Sequence, residues 1–317
     1  MRTARLGALE VSALCLGTLP FGSGVDEGTS FAILDRFAEA GGTFLDTANN
    51  YVSWTEAGTG DESEAVLGRW LAARGNRDSV VLGTKVGARP AASGPGQAGT
   101  GYEGLSAGVV EAGIEGSLRR LGTDRVDVYY SHVEDRSVDL AETLGAFAGL
   151  VARGSVREVA CSNHATWRIE RARAVSGANG WPKYAAAQLR FSYLRPRPGY
   201  RLPESGHVLM SGELLDFARS EGDFALVAYS ALQFGQYAGR PLREENRHVG
   251  NERRLAVLGE VADELGLTRN QVVLGWVMAQ GVVPVVGVSS VAQVDEALGA
   301  ADLVLPEEVL ARLDAAA

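Results

Sequence analysis

The chain has 317 residues, of which 46% are hydrophobic, 22% charged and 7% aromatic, so it can bury a full core and is unlike a disordered segment. Its length fits one barrel-type domain or two ordinary ones. A formal net charge of -9 excludes a protein that tracks a polyanion over a broad basic surface, so no nucleic-acid partner is expected and an anionic ligand has to find a local cationic pocket.

At the N-terminus, "MRTARLGALEVSALCLG" lacks the long apolar core and small-residue cleavage site of a secretory signal. No run approaches the roughly 18 apolar residues of a membrane span, so a cytoplasmic address with no membrane partner is expected. Within this stretch "TARLGALEVS" carries a Leu-Gly-Ala-Leu turn and reads as a small hairpin plugging one end of a barrel. Short Val/Leu/Tyr-rich runs follow: "VSALCLGTLPFG" from 11, "TFLDTA" from 43, "SVVLGTKVG" from 79 and "RVDVYYSHVED" from 125. The series continues with "VREVACSNHA" from 156, "YAAAQLRF" from 184, "FALVAYSAL" from 224 and "VVPVVGVSS" from 282.

Between the runs lie longer segments whose apolar residues recur at three and four, the pattern of βα units. "SAGVVEAGIEGSLRRLG" has Ser106 as an N-cap candidate and Gly122 just past its end, and "DLAETLGAFAGLVARG" pairs Asp139 with Glu142 in the manner of a capping box. Eight strands, mostly followed by helices, indicate an α/β fold of the (β/α)8 TIM-barrel type rather than an open sheet. No Pro/Gly-rich linker has apolar units on both sides, so residues 1–317 read as a single domain. Two long connections, residues 192–210 and 233–251, interrupt the pattern, and loops of that length usually bind something or move. A third, from 88, reads as flexible. Cys15 and Cys161, the two cysteines, sit in apolar runs and are too few for a disulfide framework, which suits buried thiols in a reducing compartment.

In such a barrel the chemistry gathers where strands end. The polar residues closing these runs are Asp46, Lys85, His132, Ser162 with Asn163, Gln188, Tyr229, and Ser289 with Ser290. Singly, Lys85 could be a snorkelling surface lysine, His132 a satisfied loop histidine and Gln188 a layer residue with a backbone partner. Together they favour a site. A tyrosine such as Tyr51, with an ordinary pKa of about 10, is a poor acid at neutral pH unless a cation stabilises its phenolate. Lys85 can be that cation, Asp46 its counter-charge, and His132 a hydrogen-bond donor to a carbonyl oxygen.

"FLDTANNY", "GTKVG", "YYSHVED", "ACSNHA" and "VAYSAL" resemble the strand ends of the aldo-keto reductases, over residues 3–312, and the branches of that superfamily related to potassium-channel β-subunits and general stress proteins. The resemblance implies a catalytic tetrad: Tyr51 as general acid, Lys85 lowering its pKa, Asp46 anchoring the lysine and His132 orienting the substrate. It implies that Ser162, Asn163 and Gln188 hold a nicotinamide carboxamide and that Tyr229 stacks on the ring. Ser230, Leu232, Gly287, Ser289, Gln293 and Glu296 are implied as further cofactor contacts. The implied reaction is hydride transfer from NAD(P)H to an aldehyde, ketone or sugar-like carbonyl.

The chain departs from the family pattern in "VVGVSSVAQVDEALGA", where Ala297 replaces an expected asparagine and no basic residue lies between Gly287 and Glu296. Arg240, Arg243, Arg247, Arg253 and Arg254 of the long loop either supply the missing charge for a 2′-phosphate or are simply solvated, so NADP(H) is expected ahead of NAD(H). Ala231 in "YSAL" is expected to loosen the turn over the pyrophosphate. Trp54 either borders the substrate pocket or packs. "FSYLRPRPGYR" from 191 either contacts a polyhydroxylated or anionic substrate or forms a lid.

Two alternatives stand beside the reductase: a cofactor-binding sensor or channel-associated subunit with little turnover, and a cofactor-free aldolase using Lys85 as a Schiff base. No metal is expected, because His132, His164, His207 and His248 form no ligand pair at helical or turn spacing. Substrate identity and oligomeric state are not encoded in any motif found.

Overall fold

A hairpin opens the chain, as its Leu-Gly-Ala-Leu turn predicts: β1 (Thr3–Leu6) pairs antiparallel with β2 (Leu9–Ser12) in the computed structural model, which describes residues 1–55, 58–91, 101–202 and 204–316. Gly7 turns in the left-handed region at φ 58, and a Cβ there would lie 2.5 Å from the Glu158 carboxylate. That carboxylate accepts a hydrogen bond from Ala8 N at 2.7 Å and ties the turn to the barrel.

Eight parallel strands then close in sequence order: β3 (Cys15–Gly17), β4 (Phe44–Asp46), β5 (Val81–Val86), β6 (Val126–Ser131), β7 (Val156–Ser162), β8 (Ala186–Arg190), β9 (Ala225–Tyr229) and β10 (Val282–Gly287). β10 pairs with both β9 and β3, which leaves no open edge. This is the (β/α)8 barrel with an N-terminal hairpin.

The helices in chain order are α1 (Glu27–Glu39), α2 (Glu62–Arg74), α3 (Ala107–Leu121), α4 (Leu140–Ala152), α5 (Thr166–Ala178), α6 (Gly212–Glu221), α7 (Val249–Leu265), α8 (Arg269–Ala279), α9 (Val291–Leu298) and α10 (Glu307–Ala315). None is long and apolar enough to cross a membrane.

The two-residue period of the strands places the core and the site together. Outward residues such as Leu45, Leu82, Tyr129, Val159, Leu189 and Val286 pack under the helices. Inward residues Phe44, Val81, Val128, Tyr130, Ala160, Ala186, Val227 and Val283 form a second core, which the hairpin closes from below with Leu6, Leu9 and Val11. Each of those three buried side chains stabilises the plug by about 1.5–3 kcal/mol. One pleat further along, the inward position turns polar: Phe44 leads to Asp46, Tyr130 to His132, Ala160 to Ser162, Ala186 to Gln188, and Val227 to Tyr229.

Local signals hold with one exchange. Gly122 ends α3 in the left-handed region, and Asp139 caps α4 by accepting from Ala141 N at 2.7 Å. Glu142 does not reach back to its own cap. Its carboxylate accepts from Ala107 N at 2.9 Å, serving the start of α3, where the Ser106 side chain makes no capping bond. An anion at that position satisfies an orphan N–H and the helix dipole together.

The connections 192–210 and 233–251 emerge from the C-terminal ends of β8 and β9, the second containing two short 3-10 turns. In the loop from 88, residues 92–100 lie outside the described residues, as do 56 and 57 of the segment after Tyr51. Both cysteines are buried free thiols.

Candidate active site

Lys85 is the hub of the C-terminal face. Its Nζ lies 2.6 Å from Asp46 Oδ2, 2.7 Å from Tyr51 Oη and 2.7 Å from the Thr47 carbonyl, so all three ammonium protons are matched. Lys85 and Asp46 are each 1% exposed, and an unpaired charge at that depth would be costly. Asp46 uses its other oxygen to accept from Gln188 Nε2 at 2.9 Å, four strands away.

Register sets the lysine and aspartate on adjacent strands, with Asp46 opposite Gly83 in β5 and Lys85 opposite Tyr130 in β6. The loop after β4 folds Tyr51 back over them. Thr47 N donates to Gly83 O, Asn49 N to Lys85 O, and Asn50 Nδ2 to Ala88 O. Val52, the next residue, sits at φ 61. The left-handed region costs an L-residue about 1–2 kcal/mol, so packing elsewhere in the loop holds Tyr51 in place against that strain.

Burial pushes the Tyr51 phenol well above its ordinary range, and the Asp46 carboxylate adds to the shift. The net shift is therefore upward, opposite to the expected lowering by Lys85, with desolvation its largest cause. Burial also pushes the Lys85 ammonium down, against the pull of Asp46. His132, 9% exposed, is pushed well below the ordinary histidine value by burial and then by Lys85, which keeps the imidazole neutral. Its ring meets that of Tyr51 edge-on at 6.2 Å, and its buried Nδ1 has no hydrogen-bond partner among the described residues.

The residues read as carboxamide ligands lie beside this cluster. Ser162 Oγ donates to the Gln188 carbonyl at 2.7 Å, and Asn163 Nδ2 donates to the His132 carbonyl and to Ser162 Oγ, both at 3.0 Å. Asn163 is left-handed at φ 58, and its Oδ1 accepts from Tyr229 Oη at 2.9 Å. Hydroxyl and amide groups on neighbouring strand ends, with a phenol ring beside them, suit the donor and acceptor pattern of a carboxamide on a flat ring.

Ser230 follows in the left-handed region and Leu232 is half-buried. Ala231 is fully buried and its carbonyl accepts from Ser192 Oγ at 2.6 Å, so a hydroxyl from the other long loop does the fixing.

Gly287, Ser289, Gln293 and Glu296 form a separate group around α9. Gln293 Oε1 accepts from Ser289 N at 2.7 Å, while Ser290 caps the helix. Glu296 accepts from Asn270 Nδ2 at 3.1 Å, and Ala297 is buried in the core. Of the arginines read as belonging to the long loop, Arg253 and Arg254 lie instead in α7; Arg254 packs over the Tyr193 ring, Arg243 stacks on Phe234 and pairs with Glu245 at 3.4 Å, and Arg247 donates to the Leu242 carbonyl. Arg240 and Arg253 are exposed and without an ion-pair partner among the described residues. Trp54 is half-exposed in the loop after β4.

Three features escaped the sequence reading. A buried hydroxyl cluster, Thr18, Thr47 and Ser63, lies beneath Asp46, and only a helix phase would have turned Ser63 toward it. Arg190, one pleat beyond Gln188, is buried and paired with Glu245 at 3.3 Å; continuing the two-residue period would have found it. His207 reaches Tyr229 from the loop after β8, where no period applies.

A closed parallel barrel whose C-terminal rim gathers a buried lysine, aspartate and tyrosine within hydrogen-bond reach is the framework of a barrel enzyme. A model of the Aldo/keto reductase family matches residues 13–317, and the chain belongs to that family. It is similar to norsolorinic acid reductase stcV of Emericella nidulans, at 32% identity over 98% of this chain and 79% of that protein. Uncharacterized oxidoreductase YrpG of Bacillus subtilis is 32% identical over 96% of this chain and 92% of its own. Aldo-keto reductase ausK of Emericella nidulans is 27% identical over 98% of this chain and 78% of that protein. The protein is thus an enzyme of the carbonyl-reducing class, in a family that uses nicotinamide cofactors.

Proposed function

We propose that the protein reduces an aldehyde or ketone with NADPH and that Tyr51 Oη supplies the proton. The observation that carries this reading is Lys85 Nζ bonded at once to Asp46 and to Tyr51. The bound cofactor would supply a hydride to the carbonyl carbon. Tyr51, held as the neutral phenol by burial, has a proton to give at neutral pH. That proton now points to Asp46 Oδ2 at 3.1 Å, and rotation about the C–O bond turns it toward the substrate oxygen. As the proton leaves, Lys85 faces the growing phenolate charge at 2.7 Å, an interaction stronger in the transition state than before it. Neutral His132 donates a hydrogen bond to the carbonyl oxygen and orients it. The product is an alcohol, and the phenolate recovers its proton from water.

Ser162, Asn163, Gln188 and Tyr229 are proposed to hold the nicotinamide end, Ser230 and Leu232 to line the turn beside it, and Gly287, Ser289, Gln293 and Glu296 to line the adenosine end. NADP(H) is favoured over NAD(H) with Arg240 as the phosphate clamp, since Arg243, Arg247 and Arg254 are already engaged and Arg253 lies within α7 rather than in the loop. Similarity to norsolorinic acid reductases supports norsolorinic acid as the first substrate to try, and Trp54, half-exposed, is proposed to border the pocket. Residues 1–317 act in this reading as one domain, and free buried thiols suit a cytoplasmic setting.

Tyr51→Phe is the direct test. Turnover should fall at least about a thousandfold, within the range for removing a positioned acid, while NADPH affinity stays within about threefold. Retained turnover would remove Tyr51 from this role. Tight cofactor binding without turnover of any carbonyl by the unmodified protein would instead favour a sensor.

A further inference from the structure

The segment 204–210 lies across the barrel mouth as a strap. Tyr102 Oη donates to the Ser205 carbonyl at 2.9 Å, and Gly206 lies against Val133 just beyond β6. Val208 N donates to Asn163 Oδ1 at 3.3 Å, Leu209 bridges to Arg190, and Met210 N donates to the Arg190 carbonyl at 3.0 Å. Between these anchors His207 Nδ1 comes within 3.0 Å of Tyr229 Oη, its ring edge-on to the tyrosine at 5.8 Å.

One proton assignment satisfies every bond. Tyr229 has a single hydroxyl proton, which goes to Asn163 Oδ1, so His207 must carry its proton on Nδ1 and donate to Tyr229 Oη. Asn163 then has Oδ1 filled by Tyr229 and Val208, and Nδ2 directed at His132 O and Ser162 Oγ. The chain runs His207 to Tyr229 to Asn163, and each donor fixes the next acceptor's orientation.

We infer that His207 is a positioning residue for the nicotinamide end of the cofactor: it locks the Tyr229 ring and the Asn163 amide in the attitude the ring and its carboxamide require. This rests on the cofactor reading of Tyr229 and Asn163 given above. A preset pair costs the cofactor less ordering on binding, so His207 acts on affinity at the nicotinamide end and leaves the proton-donating cluster untouched.

The test uses the full chain and two variants. NADPH and 2′,5′-ADP, which lacks nicotinamide, are titrated by tryptophan fluorescence against the unmodified protein, His207→Ala and His207→Asn; the asparagine amide keeps a polar group near the Nδ1 position. His207→Ala should weaken NADPH about five- to tenfold, the scale of one neutral hydrogen bond, with 2′,5′-ADP binding unchanged and kcat at saturating NADPH within about twofold. His207→Asn should restore NADPH affinity to within about twofold. Unchanged NADPH affinity in His207→Ala, equal weakening of both ligands, or no rescue by His207→Asn overturns the inference alone. Failure of the unmodified protein to bind NADPH overturns the cofactor reading beneath it.

Discussion

Lys85→Met separates what the buried ion cluster does for stability from what it does for chemistry. The substitution keeps the length of the side chain but removes bonds of 2.6, 2.7 and 2.7 Å to Asp46, Tyr51 and Thr47. Asp46 is left as a buried carboxylate facing Gln188 and Tyr51, and breaking one side of such a pair costs about 3–5 kcal/mol. Asp46→Asn in the same chain removes the stranded charge, so the double variant should recover most of that loss. Turnover follows the opposite logic. A hydrogen bond from a cation to a growing phenolate contributes about 1.5–3 kcal/mol, so its removal slows the reaction roughly ten- to hundredfold or more, and the second substitution cannot repair it. Urea unfolding followed by tryptophan fluorescence measures the first quantity, and the loss of reduced-nicotinamide absorbance with a carbonyl substrate measures the second. A double variant no more stable than Lys85→Met, or Lys85→Met turning over within a few fold of the unmodified enzyme, would refute the reasoning.

Two further perturbations reach other parts of the molecule. Arg240→Ala should weaken NADPH by about ten- to a hundredfold, the scale of a charge-assisted bond to phosphate, and leave NADH unchanged; equal effects on the two cofactors would exclude Arg240 as the clamp. Acid should weaken the fold through its buried neutral histidines. Burial drives His164 from 6.5 to about 4, and His132 and His207 are pushed down as well. Their folded values lie below the unfolded one, so the stability they contribute is present above pH 6.5 and is lost as pH falls below it, for His164 down to about 4. At about 1.4 kcal/mol per pKa unit, His164 alone accounts for up to about 3 kcal/mol. The urea midpoint should therefore drop between pH 7 and 5, and less steeply in His164→Asn; an identical slope in that variant would assign the acid sensitivity elsewhere.

The barrel was legible because strand period and helix period alternate along the whole chain, and its polar strand ends were legible because an inward position that stops being apolar has no core to fill. Asp46, Lys85, Ser162 and Gln188 were found this way, and they do lie together. Their partners were less legible. That Gln188 Nε2 would bond Asp46 depends on the curvature that brings β8 across from β4, which no local pattern encodes. Glu142 was read as serving its own helix because capping rules are local, whereas its carboxylate crosses to α3. The sign of the Tyr51 shift was also hidden: the sequence offers a neighbouring cation, but the depth of burial that outweighs it is a property of the closed loop over β4.

Gln188 joins the two halves of the site. Its carbonyl accepts from Ser162 Oγ at 2.7 Å and from Asn163 N at 3.2 Å, on the side proposed to hold the carboxamide. Its side-chain amide donates to Asp46, whose other oxygen holds Lys85 and, through it, Tyr51. The polar network on the carboxamide side and the one around the proton donor therefore meet at one residue of β8, whose backbone carbonyl belongs to the first and whose side chain belongs to the second. Buried polar networks of this kind rigidify when every member is satisfied and become costly when one is lost. The hydride source and the proton source must meet the same carbonyl from fixed directions, and a positional error of an ångström in either is enough to lose about a hundredfold in rate. Anchoring both to one strand residue removes their relative motion, which is a physical reason for a glutamine, with an acceptor in its backbone and a donor in its side chain, at that position.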